Sequence, residues 1–156
     1  MRRPGLSAGL AAGLLVIATL LAGCASGAPL PTDTPAPTPT ETTTPLTDLA
    51  AGDCYDQAGQ GVVLVLDCDE AHSYEVFASL LLDDPAYPAE TLEATARDRC
   101  RTAFSAFIGI EYDASELVLR YVAPSAATWE QGDREILCVV TDPVDRTIGS
   151  LADALR

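Results

Sequence analysis

PAETLEATARDRCRTAFSAFIG, residues 88–109, is the stretch that decides what this chain can fold into. Leu92, Ala96, Cys100, Ala103, Phe104 and Phe107 fall at steps of three and four, so a helix would gather them on one face. Pro88 suits a first turn, where a missing N–H costs nothing. Glu93 and Arg97 are spaced for an exposed supporting pair, and Gly109 tolerates the left-handed backbone that ends a helix. Cys100 lies in the middle of the apolar stripe, so a disulfide from it should staple the helix to a strand.

Strand signals flank this helix. Val62 to Leu66 is a short β-branched run that follows a turn at Gly59-Gln60-Gly61. Ser73 to Leu82 is a second strand, stopped by Asp83-Asp84-Pro85 because proline offers no ladder donor. Leu117 to Val122 and Glu135 to Val140 supply two more. The expectation is a small α+β domain of about four strands in β-β-α-β-β order, with the long helix packed on the sheet.

Five cysteines stand at 24, 54, 68, 100 and 138. The last four form an even set without a C-x-x-C pair, which reads as two disulfides and not as zinc ligands. Three connectivities exist; we take Cys54–Cys68 and Cys100–Cys138, since Cys138 sits inside the last strand and Cys100 on the helix face. Chain-entropy arithmetic assigns these loops about 3 and about 4 kcal/mol.

Cys24 stands apart. Arg2 and Arg3 precede an uncharged run from about Leu6 to Ala22, the layout of a secretory signal. Leu21-Ala22-Gly23-Cys24 resembles the lipobox of bacterial lipoproteins, which implies removal of residues 1–23 and a palmitate-type acyl anchor on Cys24. The alternative is an uncleaved membrane anchor, because the run approaches the roughly 17 residues that a spanning helix needs. On either reading the folded part lies on the extracytoplasmic face of the cell membrane.

Residues 24–47 are dominated by Pro, Thr and Ala with no apolar periodicity, and read as an extended spacer ahead of a domain at 48–156. Thr38, Thr40 and Thr42 to Thr44 would be the sites if this stalk carries O-linked sugar. The 156 residues hold nine basic side chains, all arginine, against 23 acids. Two of those arginines precede Cys24, so the lipidated chain would carry seven against 23, a net −16. Such a charge is repelled by nucleic acid, which is set aside as a partner.

Two stretches carry a family resemblance. One is Cys68 to Val76, of the form C-x-x-x-H-x-x-E-V, and the other Trp129 to Cys138, of the form W-x-x-G-D-R-x-x-x-C. With Gly52-Asp53-Cys54 ahead of them, Tyr121 before Pro124 and Gly149-Ser150-Leu151 near the end, the region 48–156 resembles the septum formation family of actinobacterial membrane proteins and lipoproteins. Ala71 stands where that family commonly has proline. The resemblance implies a link to division septum formation and no defined enzyme activity.

Reactive chemistry finds little purchase. His72 and Glu75 could orient an imidazole or offer two metal ligands, with Asp67, Asp69 and Glu70 beside them. A metal needs three or four ligands, and no second histidine exists; no EF-hand spacing supports calcium. The plainer reading is a turn in which His72 and Glu75 hydrogen-bond locally. Ser73 and Ser79 lack a G-x-S-x-G elbow, and Asp83-Asp84 reads as a solvated turn. Trp129, Gly132, Asp133 and Arg134 form either a recognition surface with Trp129 as its anchor, or a turn in which Asp133 pairs with Arg134 and Trp129 caps the core. The leading expectation is a non-enzymatic, lipid-anchored domain, without metal or cofactor, that binds envelope or division proteins. A cell-wall-acting enzyme or a ligand-carrying lipoprotein is the alternative; a sensor ectodomain lacks a second membrane segment.

Overall fold

The computed structural model describes residues 42–156. The signal segment, Cys24 and the spacer through residue 41, with Thr38 and Thr40, lie outside the described residues. Six strands and two helices follow one another: β1 (Thr43–Pro45), β2 (Cys54–Gly59), β3 (Val62–Leu66), β4 (Tyr74–Leu81), α1 (Leu92–Ile108), β5 (Val118–Val122), α2 (Ala126–Glu130) and β6 (Glu135–Thr141). The strands form a single antiparallel sheet in the order β1-β3-β2-β4-β6-β5. The expectation of about four strands is corrected to six, and the order β-β-α-β-β gains two strands at its start and a short helix between its last two strands.

The missing strands have a physical reason. In β2 only Cys54 and Tyr55 are buried, and a bulge between Gln57 and Gly59 breaks its alternation. A two-residue turn at Gln60-Gly61, with Gly61 at φ 70°, then reverses the chain into β3. β1 is three residues from the proline- and threonine-rich stretch, held on the sheet edge by β3. A proline is tolerated there because an edge leaves one side of the strand without ladder partners.

β6 is the spine of the sheet. All but the first of its seven residues are buried, because both faces are covered. Ile136, Cys138 and Val140 turn toward α1, where they meet Leu92, Ala96, Cys100, Phe104 and Ile108. Leu137 and Val139 turn the other way, onto Tyr55, Val63, Val76 and Leu49. The helix therefore buries a strict every-fourth-residue stripe, and its last member, Ile108, replaces Ala103 and Phe107, which are half-buried at the margin. The Phe77 ring lies in the helix-side core, edge-on to Phe104 with centroids 5.9 Å apart, and a bulge in β4 between Val76 and Ala78 puts Ala78 and Leu80 on that same side.

Pro88 opens the turn that leads into α1, its carbonyl accepting from the amide of Leu92 at 2.8 Å. Gly109 ends the helix in the left-handed region at φ 87°. The disulfides are Cys54–Cys68 and Cys100–Cys138, with Cα atoms 5.2 and 5.4 Å apart. The first closes the β2–β3 hairpin, and the second ties α1 to β6 through the middle of the core.

Candidate functional site

The histidine motif begins in a turn. Asp67 accepts from the amide of Asp69 through its carboxylate (3.1 Å) and from that of Glu70 through its carbonyl (2.9 Å). His72 follows, 1 % exposed, exchanging both backbone hydrogen bonds with Thr147 at 2.9 and 2.8 Å. Its Nδ1 lies 2.8 Å from the Glu70 carbonyl oxygen. A carbonyl can only accept, so the ring proton belongs on Nδ1. Nε2 is buried without a hydrogen-bond partner among the described residues.

Glu75 is 3 % exposed, and its partners lie 75 residues further along the chain. One carboxylate oxygen accepts from the Ser150 hydroxyl at 2.6 Å and the other from the Leu151 amide at 2.7 Å. The Gly149 amide donates to the Cys68 carbonyl at 2.7 Å. Residues 68–75 thus form a row of fastenings for residues 147–151, ending where the Leu151 side chain enters the helix-side core. The expectation that both motif side chains bond locally holds for His72 and is corrected for Glu75, whose contacts close a long loop. Sulfurs of Cys54 and Cys68 and an oxygen of Glu75 all lie within 4.8 Å of one another. Those sulfurs are bonded to each other, so they are not thiolate ligands.

The tryptophan motif is equally inward. Ser125 and Thr128 build a reciprocal capping box that starts α2: the Ser125 hydroxyl accepts from the Thr128 amide and the Thr128 hydroxyl from the Ser125 amide. This turn of helix carries Trp129 into the core, 6 % exposed and edge-on to Tyr87. Gly132, at φ 98°, lets the chain double back. The Arg134 guanidinium lies 3.7 Å from the Trp129 ring centroid and donates to the carbonyls of Trp129 (2.7 Å) and Asp133 (2.8 Å). Asp133 does not pair with Arg134; its carboxylate accepts from the amide of Glu135 at 3.1 Å. Arg134→Ala should therefore cost about 1–2 kcal/mol, through the lost cation–π contact and hydrogen bonds. A urea midpoint equal to that of the unmodified chain would contradict this placement.

Both motifs, and the Gly149-Ser150-Leu151 segment that the first one fastens, fall inside the match of the septum formation family profile to residues 51–154. The chain belongs to the septum formation family. Neither a curated protein nor a solved structure matches it. Among the described residues, no helix of this septum formation domain is long and apolar enough to cross a membrane.

Among the open grooves on the domain's surface are two with Arg101 and with Arg120 in their walls. One, of about 590 Å³, runs beside α1 between Arg101 and Tyr112. Arg101 is already paired there with Asp113 at 2.6 Å and lies over the Tyr112 ring. The other, of about 370 Å³, lies at the β5 end of the sheet, with Tyr74, Val118, Arg120, Thr141 and Val144 in its wall. Tyr74 stacks on Tyr55, with centroids 5.1 Å apart.

Burial pushes the Tyr55 hydroxyl from its ordinary value of 10.0 up to about 12; Tyr74 adds to the rise and Arg120 opposes it. A raised tyrosine means that the fold prefers the neutral form. Its contribution is whole below about pH 10 and is lost as pH climbs toward 12. Tyr55→Phe should flatten that part of the alkaline stability curve, and parallel curves for the two chains would refute it. Sequence reading missed Arg120 and Tyr55 as neighbours, because nothing local pairs β2 with β5 across three intervening strand boundaries.

Proposed function

We propose that this septum formation domain is a non-enzymatic binding module, held at the extracytoplasmic membrane face by acylated Cys24, and that it organises envelope or division proteins. One observation carries the reading: Glu75, Asp133 and Arg134, the charged side chains that the two motifs specify, are spent on the fold, and the backbone of His72 with them. Glu75 accepts from Ser150 and Leu151, His72 docks on Thr147, and Arg134 covers Trp129. Family membership supports the link to septum formation. The lipobox-like Leu21-Ala22-Gly23-Cys24 supports the anchor, and the proline-rich spacer supports display away from the bilayer.

Growth with an alkyne-tagged fatty acid should label the chain, and Cys24→Ser should abolish the label. Crosslinking in the native envelope should recover division or envelope proteins as neighbours. An unlabelled chain would remove the anchor, and recovery of no protein neighbour would remove the organising role.

A further inference from the structure

The two edges of the sheet are built differently. On one side β1 is three residues long and ends in Pro45, a blunted edge. On the other, β5 pairs with β6 in an unbroken register from Val118 to Val122. It contains no proline and no bulge, and none of its five residues is fully buried. Among the described residues, backbone hydrogen bonds from 118–122 go to β6 alone. Its free side is therefore a row of donors and acceptors in the geometry that an added strand needs.

Arg120, at the centre of β5, is exposed. Six of the seven described arginines have a polar partner: Arg97 holds Glu93, Arg99 the Leu81 carbonyl, Arg101 Asp113, Arg134 two carbonyls, Arg146 Asp56, and Arg156 both Glu116 and Asp142. Arg120 has no hydrogen bond or ion pair among the described residues. In a chain of net charge −14, with acids outnumbering bases by 23 to nine, a cation without an ion pair among the described residues is conspicuous. Beside it the groove offers Val118 and the 83 % exposed Val144 as apolar contacts.

We propose that β5 takes up an extended peptide segment of a partner protein as a seventh strand, with one Asp or Glu side chain of that segment placed against Arg120. Resting on the reading of a binding domain, this names the surface and the chemistry of the partner. A second copy of the chain fits poorly, since antiparallel pairing of two β5 strands about their centre would set Arg120 against Arg120, and the copies repel through their net charge. An acidic run fits poorly for the same overall charge, and Asp145 lies in the same groove. The complement is a single carboxylate among β-branched and uncharged residues.

The test pans a displayed library of random nonapeptides on the full chain in detergent and measures the winners by fluorescence anisotropy. Enriched peptides should be strand-formers with one acidic residue, and should bind Arg120→Glu and Arg120→Gln at least ten-fold more weakly. They should bind Arg97→Glu, altered on the exposed face of α1, as they bind the unmodified chain. Hydrogen exchange should slow within 118–122 on binding. The proposal falls if no peptide is enriched, if the winners ignore Arg120→Glu and Arg120→Gln, or if protection appears elsewhere. Envelope crosslinks from another face would then leave a binding domain without this edge, whereas absence of any protein neighbour would remove the reading beneath it.

Discussion

The chain carrying Cys100→Ala and Cys138→Ala is expected to lose about 4 kcal/mol of stability, read as a lower urea midpoint in oxidising buffer. The bridge spans a sequence separation of 38, and closing a loop of that size removes about this much free energy from the unfolded chain's advantage. Both cysteines are fully buried between α1 and β6, so the substitution also takes two sulfurs out of a packed core. A domain of about 110 residues has roughly 5–15 kcal/mol in all, so the variant should be marginal at 37 °C. Cys54→Ala with Cys68→Ala, closing the shorter loop of separation 14, should cost less, about 3 kcal/mol. Equal midpoints for the oxidised and the cysteine-free chains would contradict this account of the staple.

Glu75→Ala is expected to cost about 3–5 kcal/mol, a large effect for a side chain that lines neither groove. It strips the acceptor from the Ser150 hydroxyl and the Leu151 amide, two bonds to a charged group at about 1.5–3 kcal/mol each. Glu75→Gln keeps the volume and one acceptor for the Leu151 amide but exchanges two charge-assisted bonds for neutral ones and requires the Ser150 hydroxyl to turn and accept, so it should recover only part of the loss. The melting temperatures should rank unmodified, Gln, then Ala. Ser150→Ala, which removes one of the two bonds, should be milder than either, and coupled to Glu75 in a double-mutant cycle.

How much of this was legible in the residues depended on how each element is buried. α1 declared itself because one stripe is apolar and the helix's charged residues all lie off it; β6 did so because both its faces are covered, which makes it a continuous apolar run. β1 and β2 gave no such signal: one is short and carries Pro45, the other buries only Cys54 and Tyr55 before turning polar. α2 was readable in principle, since Ser125 and Thr128 stand at capping-box spacing, but five residues are too few for periodicity to speak. Glu75 shows the harder limit. Its residue type and its three-residue spacing from His72 suggested a local role or a ligand, while its partners at Ser150 and Leu151 are brought to it only by the return of the chain after β6. That Arg120 has no ion pair among the described residues became visible only once every other described arginine had a named partner.

The central claim is that the histidine–glutamate motif fastens the C-terminal segment to the sheet, and the exchange rate of a single proton tests it. In the full chain the Leu151 amide, bonded to the buried Glu75 carboxylate, should exchange orders of magnitude more slowly than an unstructured amide, and Glu75→Ala, which leaves no acceptor, should cost that amide more of its protection than it costs β6. A Leu151 amide that exchanges at the unstructured rate in the unmodified chain, or one whose protection survives Glu75→Ala unchanged, would contradict the account.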